Sequence, residues 1–176
     1  MAISLYEATV PQFLQILPAM VGLLDKAEAW CQDKGLPPSA LIDARLAPDM
    51  YSLAHQVRYT AMQSAGAVKA VFDGVFLAAK SPAPETFAEL RALVNDAIAY
   101  LKGVNADELD ARAGADVNFE FGGEVLMRFI GSTYLLSFAQ PNFYFHSSML
   151  YAILRNQGLE VGKRDFVGAL QVKQLA

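Results

Sequence analysis

Residues 129–154 of this chain read FIGSTYLLSFAQPNFYFHSSMLYAIL. These 26 positions hold seven aromatic side chains and one of the two histidines, but no Asp, Glu, Lys or Arg. The length would allow a membrane span, yet eight polar side chains would then lie in hydrocarbon. We therefore predict a helix of a soluble protein, covered on nearly all sides by its own bundle, with a partner subunit as a further cover.

The composition of the whole chain is that of a folded domain. Of its 176 residues, 54% are hydrophobic and 18% are charged, which excludes a disordered chain and a charged coiled coil. We expect a single domain over 1–176 with a sizeable core. The net charge of −4, with no basic cluster longer than Lys163-Arg164, argues against nucleic-acid binding.

Two features bear on the cell compartment. Cys31 is the single cysteine, so an internal disulfide is excluded and a reducing cytosol fits; we expect it to pack as a small hydrophobic side chain. The first 13 residues, MAISLYEATVPQF, lack the basic start and apolar stretch of a secretory signal. The sequence predicts a cytoplasmic protein with no membrane contact.

Apolar residues recur at helical spacing before the uncharged run. The first helix is predicted to begin near Thr9, to be kinked by Pro18 and to end at Gly35. A short helix is predicted over 39–46.

Two more long helices follow. Pro48 is predicted to open the second long helix, which ends before Gly74. Residues 74 and 81–84 are rich in Gly and Pro and predict a loop. The third long helix is predicted from Glu85-Thr86 to Lys102.

The hydrophobic period then changes from helical to alternating. Val117, Phe119 and Phe121 alternate with polar residues, Gly122-Gly123 supplies a turn, and 125–129 alternates again, which predicts a β-hairpin. A hairpin of two strands is marginal alone, so it must lie against the helices or a partner.

The uncharged run completes a four-helix architecture. Its helix is predicted to begin at Gly131-Ser132, to be interrupted by Pro141 and to end at Gly158, before a tail at 159–176 with no strong period. The fold class is therefore mainly α: a four-helix bundle with a small β-hairpin inserted before the last long helix.

The two histidines are the first candidates for a site. In the fourth helix, Asn142 and His146 lie one turn apart on the stripe that faces the core. In the second helix, His55 flanks the apolar stripe, with Tyr51 and Tyr59 four residues to either side. Facing helices of a bundle bring such groups together in an interior pocket.

Two interpretations of this pair stay open. In one, His55 and His146 are metal ligands or acid–base groups, and Asn142 and the tyrosines orient a ligand. In the other, both histidines lie at the edge of the core, each hydrogen-bonded to a hydroxyl or a carbonyl. Leu150 stands four positions after His146, so the HxxxH pair of a strong metal signal is absent, and a carboxylate would have to provide a third ligand.

A second candidate is the segment at 43–50. Asp49 is predicted to cap the second helix or, in the metal interpretation, to complete the ligand set. Arg45 either pairs with Asp49 or reaches the mouth of a pocket and holds an anion. Lys163-Arg164-Asp165 is interpreted as a solvated loop in preference to an anion site.

The chain resembles a known family over nearly its whole length. Five short segments carry the resemblance: ARLAPDM (44–50), HQV (55–57), QPNFYFH (140–146), YAILRNQG (151–158) and VGKRDF (161–166). They are similar to an uncharacterised bacterial family, the domain of unknown function numbered nineteen ninety-three, among the DinB/YfiT-like helical bundles.

The resemblance implies a DinB-like four-helix bundle that is often a dimer. It also implies a divalent metal, nickel or zinc, held by three histidines, and in some members a thiol-dependent transferase or isomerase activity. His55 matches the ligand of the second helix and His146 one of the pair in the fourth, whereas Leu150 stands where the other would be. The implied metal site is thus incomplete.

Three hypotheses about function follow. The first is a homodimeric bundle that binds a small molecule between its helices, beside His55, His146 and Asn142. The second is a metal-dependent transferase or hydrolase in which Asp49 completes the site. The third is a non-catalytic interaction protein whose uncharged helix serves dimerisation.

Overall fold

The computed structural model describes residues 3–78 and 82–173. Residue 81 of the predicted loop and residues 174–176 of the tail lie outside the described residues. Helix α1 spans Leu5–Lys34 and ends at Gly35, whose φ of 64° is the left-handed conformation of a helix C-cap.

The predicted start of α1 at Thr9 is wrong by one turn. Ser4 is the N-cap, because its hydroxyl accepts the Glu7 amide while the Glu7 carboxylate accepts the Ser4 amide. Thr9 lies inside the helix, fully buried, and its hydroxyl donates to the Leu5 carbonyl at 2.7 Å. The reciprocal capping pair satisfies two backbone donors that Thr9 would have left open.

The segment between the first two long helices is also less helical than predicted. Helix α2 is only Ser39–Ile42, and α3 begins at Leu53 (Leu53–Ala61), not at Pro48. The Leu53 amide donates to the Ala44 carbonyl at 2.9 Å, which closes residues 44–53 as a loop. Asp49 therefore lies in an exposed turn, and Ser52 occupies the N-cap position of α3.

Helix α3 continues through a first π segment (Met62–Gly66) into α4 (Ala67–Asp73). A second π segment (Tyr134–Ala139) connects α7 (Gly131–Thr133) with α8 (Gln140–Asn156) in the uncharged run. The π turns widen each helix and shift its buried face, which a regular spacing of 3.6 residues does not reveal.

The sheet has three strands, one more than predicted. Strands β2 (Asp116–Phe121) and β3 (Glu124–Ile130) form the antiparallel hairpin, which is confirmed. Its Gly122 and Gly123 have φ of 62° and 87°, a turn that favours glycine. Strand β1 (Val75–Ala78) pairs in parallel with β2, so the segment directly after Gly74 is a strand and not a loop.

The remaining helices are α5 (Phe87–Lys102), α6 (Ala106–Ala111) and α9 (Lys163–Val167). Helix α5 starts where the sequence predicted, since Thr86 and Glu89 form a capping box. The interpretation of 163–165 as a loop is wrong: these residues open α9. The Asp165 carboxylate accepts the Gly162 amide and pairs with Lys26 at 2.6 Å.

The core lies between α1, α3, α5 and the long helix that ends in α8. Its largest fully buried side chains are aromatic: Tyr134, Phe13, Phe87 and Phe143. Cys31 is buried there as a small hydrophobic side chain, and burial together with the Glu28 charge raises the pKa of its thiol. The architecture is the predicted mainly α bundle with a small sheet.

The uncharged run is not covered on nearly all sides within one chain. Leu136 and Phe145 are 43% and 52% exposed, respectively, while His146 and Leu150 on the other side of the helix are buried. Among the described residues, one helix, α1, is long and apolar enough to cross a membrane; 44% of its most apolar window is buried inside the fold, which is compatible with a core helix of a soluble protein.

Candidate functional site

A cleft of about 270 Å³ opens between α3, the first π segment, the sheet and the second π segment with α8. We call it the aromatic cleft, because six aromatic side chains line it: Tyr51, Tyr59, Phe76, Phe119, Phe121 and Phe138. Phe119 lies in ring contact with both Phe76 and Phe138, at centroid distances of 5.5 and 5.4 Å. The sheet and the second π segment thus form one continuous aromatic wall.

His146 lies in the wall of the aromatic cleft, and only 8% of it is exposed. Its Nδ1 is 2.8 Å from Oε1 of Gln56, whose Nε2 donates to the Tyr51 carbonyl at 3.2 Å. Because that second bond fixes the orientation of the amide, Oε1 is the acceptor and Nδ1 of His146 carries the proton. Nε2 of His146 therefore holds a lone pair.

Burial also keeps this imidazole neutral. Desolvation lowers the pKa of His146 from its usual value near 6.5 to about 4. Hence at neutral pH the side chain offers the cleft a hydrogen-bond acceptor and a potential ligand atom, not a positive charge.

Gln63 is the second polar group of the aromatic cleft. It lies in the first π segment, is 6% exposed, and its Oε1 has no hydrogen-bond partner among the described residues. A buried acceptor without a partner costs about 1–3 kcal/mol, so such atoms are rare and call for a physical explanation.

Asn142 lies one turn before His146 and lines the same cleft, as the sequence predicted. Its Nδ2 donates to the Phe138 carbonyl at 2.7 Å, one of the carbonyls at the junction of the second π segment and α8. The side chain thus helps to hold the widened turn beside the cleft.

The two histidines do not meet. They are the ends of a stack of four rings in the order His55, Tyr51, Tyr59, His146, with successive centroid distances of 5.4, 4.9 and 5.0 Å. Burial and a hydrogen bond with Tyr51 raise the pKa of Tyr59. Two tyrosine rings therefore lie between the histidines along this stack.

His55 lies outside the aromatic cleft and supports its edge. Its Nδ1 is 2.9 Å from the Ser52 hydroxyl, and burial, with the nearby charges of Arg58 and Arg45, lowers its pKa. Each histidine is thus hydrogen-bonded to a hydroxyl or a side-chain carbonyl, which matches the second interpretation of the pair.

The donor set does not fit the three-histidine metal group that the family resemblance implies. His146 offers Nε2, but Leu150 one turn later is fully buried and apolar, and His55 lies beyond the two tyrosines. Within residues 3–78 and 82–173, no three His, Cys, Asp or Glu side chains are grouped so that they could hold one ion. The structure does not bring Asp49 together with both histidines.

The predicted pairing of Arg45 with Asp49 is wrong. Nη1 of Arg45 donates to the Met50 carbonyl at 3.3 Å, and the described ion pairs include neither residue. This bond holds together the loop before α3. The Met50 carbonyl directly precedes Tyr51 in the chain, so the bond also helps to fix the position of Tyr51. Arg45 does not line the aromatic cleft.

Gln63 and the phenylalanines of the cleft were missed from the sequence. The first π segment buries Gln63 and Ser64 next to Ala61, which is buried as well, and a regular helical spacing does not indicate this. Phe76 was missed because β1 was not predicted. A glutamine inside a largely apolar helix was the only signal that could have pointed to this position.

Comparison with a solved structure identifies the fold as a DinB-like helical bundle. A crystal structure of a DinB family member protein from Shewanella denitrificans matches this chain with a TM-score of 0.82 and 31% identity, covering 97% of this chain and 96% of that one. A comparison with proteins of curated function finds no match. The family model described as domain of unknown function (DUF1993) matches residues 5–167, so the chain belongs to that family.

Proposed function

We propose that the protein binds a small, largely apolar organic molecule in the aromatic cleft, with His146, Gln63 and Asn142 as its polar contacts. The single observation that carries this proposal is Oε1 of Gln63, which is buried at the cleft and has no hydrogen-bond partner in the described part of the chain. A ligand that donates a hydrogen bond there would recover the cost of desolvating this oxygen.

The dimensions of the cleft limit the size of that molecule. Pockets for drug-sized ligands are roughly 300–1,000 Å³, and this cleft of about 270 Å³ is slightly smaller. A ligand with one ring and a short polar arm fits this volume. Tyr51 lines the cleft and is 51% exposed, and we propose that it covers part of the bound molecule.

The roles predicted for His55 and Arg45 become indirect in this proposal. Neither lines the cleft, but His55 stacks on Tyr51 and Arg45 holds the carbonyl of Met50 beside it. We propose that both keep Tyr51 in place. We also propose that the ligand binds without a metal, since the cleft presents only one open histidine nitrogen among its described residues, and a metal site needs about three protein ligands.

Chemical-shift mapping tests the proposal directly. Benzyl alcohol, one ring with one donor, should shift amide signals of the residues that line the aromatic cleft in a titration of isotope-labelled protein. Asn142→Phe should abolish these shifts by filling the cleft, whereas Asn156→Phe, at the exposed end of α8, should retain them. Shifts that concentrate elsewhere, or none at millimolar concentrations, would contradict it.

The interaction hypothesis has one specific observation in its favour. Leu136, Tyr144 and Phe145 leave the uncharged run with exposed apolar surface on its outer side. We propose that this side packs against a second copy of the chain in a homodimer. Sedimentation at micromolar concentration tests this, and a monomer there would remove the proposal.

A further inference from the structure

Two acceptor atoms at the aromatic cleft are available to a ligand, although the cleft also holds donors in its tyrosine hydroxyls and in the amide nitrogens of Gln63 and Asn142. Nδ1–H of His146 is engaged by Gln56, which leaves the lone pair of Nε2. Oε1 of Gln63 is buried and accepts no hydrogen bond from the described residues, and one N–H of Asn142 already donates to the Phe138 carbonyl. A ligand that brings N–H groups therefore finds partners in these two acceptors.

Charged side chains are also absent from the described lining of the cleft. No Lys, Arg, Asp or Glu is among its described lining residues, so a carboxylate or phosphate would lose its water without contacting a cation in that lining. An organic cation would be stabilised by this lining, because the faces of aromatic rings attract positive charge even where no anion is present.

The phenylalanine wall is the part of the cleft that suits such a cation. The guanidinium carbon of Arg58 already lies 5.6 Å from the Tyr59 ring centroid, so the tyrosine side has a cation near it. Among the described residues, no cation lies over the rings of Phe76, Phe119 or Phe138. A ligand cation therefore finds its attractive surface on the sheet and the second π segment.

We infer that the ligand is a protonated primary or secondary amine carried on a small apolar body such as one ring. The ammonium would donate to Nε2 of His146 and Oε1 of Gln63, and its charge would lie against the ring wall of Phe119 and Phe138. This inference rests on the proposed function, because it names the class of molecule that the same cleft takes.

Four compounds that each carry one phenyl ring separate the contribution of the positive charge from that of the hydrogen-bond donors. Benzylamine, benzyl alcohol, benzoate and benzyltrimethylammonium are titrated at neutral pH by calorimetry and shift mapping. We expect benzylamine to bind about ten-fold more tightly than benzyl alcohol, since a cation–π contact of about 1–2 kcal/mol is added. Benzoate should bind most weakly, and benzyltrimethylammonium should bind less tightly than benzylamine because it has no N–H to donate.

Two variants test whether Gln63 and His146 cause the preference for benzylamine over benzyl alcohol. Gln63→Leu and His146→Ala should each reduce the benzylamine preference over benzyl alcohol several-fold, whereas Gln157→Leu, an exposed glutamine, should leave it unchanged. Should His146→Ala fail to fold, Gln63→Leu still decides the matter. An unaltered preference in a folded Gln63→Leu protein overturns the role of that amide.

The possible failures are distinguishable. If benzyl alcohol or benzoate binds in the cleft as tightly as benzylamine, the amine inference is overturned and the proposed binding function stands. If benzyltrimethylammonium matches benzylamine, the two acceptors are not the recognition groups and the inference is again overturned. If none of the four binds in the cleft, the proposed function fails together with the inference.

Discussion

His146 and Gln56 are joined through Nδ1 and Oε1 at 2.8 Å, although 90 positions separate them in the chain. The bond links α8 to α3 across one side of the aromatic cleft. It fixes which nitrogen of the imidazole carries the proton, and burial then keeps the ring neutral. The fold thus uses Gln56 to orient His146, a residue remote from it in sequence, so that the lone pair of the His146 Nε2 atom is available at the cleft.

The first prediction concerns the dependence of stability on pH. The folded pKa of His146, about 4, is below the value near 6.5 in the unfolded chain, so only the unfolded chain takes up a proton between these values. Its contribution to stability is therefore complete above pH 6.5 and is lost as the pH falls towards 4, by at most about 3 kcal/mol.

Urea unfolding of wild type and His146→Gln at several pH values measures this loss. The wild-type free energy of unfolding should fall more steeply with decreasing pH than that of the variant. His55→Gln serves for comparison: the pKa of His55 is also lowered, but His55 is only half-buried, so its removal should change the slope less than His146→Gln does. Parallel curves for wild type and His146→Gln would show that the imidazole is not shifted.

Gln63→Leu should leave stability unchanged or raise it by about 1 kcal/mol. The change removes a buried oxygen that has no partner among residues 3–78 and 82–173, and it places a side chain of similar size in a largely apolar wall. The free energy of unfolding is compared with that of Gln157→Leu, which alters an exposed glutamine. A loss above about 1 kcal/mol would mean that Gln63 makes a stabilising hydrogen bond in the folded chain.

Introducing a histidine at position 150, where the family resemblance implies a ligand, should not create a metal site. Leu150 is fully buried, so Leu150→His should cost about 2–5 kcal/mol through lost packing and a buried polar ring. Leu126→His, at a position that is 55% exposed, is the control and should cost little. Metal analysis of untagged protein tests whether the chain binds a metal. Stoichiometric nickel or zinc that is lost in His146→Ala would disprove the metal-free proposal.

Two glycines should respond to alanine in opposite ways. A Cβ at Gly131, the first residue of α7, would overlap the Arg112 carbonyl oxygen, so Gly131→Ala should destabilise the fold by several kcal/mol, at least about 2. Gly22 in α1 has nothing near its Cβ position, and Gly22→Ala should stabilise by about 0.5–1 kcal/mol. Thermal unfolding of both variants is the measurement, and equal midpoints would contradict the described approach of the two chain segments.

The homodimer proposal leads to a prediction about Phe145. This side chain is 52% exposed on the outer side of α8, so Phe145→Glu should shift a dimer towards monomer without unfolding the chain. Leu170→Glu, at an exposed apolar position in the tail, serves for comparison. Sedimentation velocity over a concentration series reports both, and a dimer that withstands Phe145→Glu would place its interface elsewhere.

The sequence was most informative where local chemistry decides the structure. Thr86 and Glu89 fix the start of α5, and Gly35 fixes the end of α1, because each satisfies backbone groups close by in the chain. The Gly122-Gly123 turn likewise determines the hairpin. Asn142 and His146 were correctly placed side by side, since their spacing needs nothing beyond one helical turn.

The missed features depend on contacts between distant segments. Strand β1 exists because Val75–Ala78 pairs with β2, some forty residues later, and four apolar residues alone do not indicate that partner. Ser52 replaced Asp49 at the start of α3 because the Leu53 amide bonds to Ala44. The separation of the two histidines is likewise set by packing, which helical spacing within either helix could not show.

The two π segments give the aromatic cleft an unusual origin. Each departs from regular helical spacing over a single turn, and each supplies part of the cleft wall, Gln63 from one and Phe138 from the other. Shortening either segment by one residue would restore an ordinary helix and rotate its cleft-facing side chains by about 100°. The shape of the aromatic cleft therefore depends on the number of residues within two helices as well as on their identity.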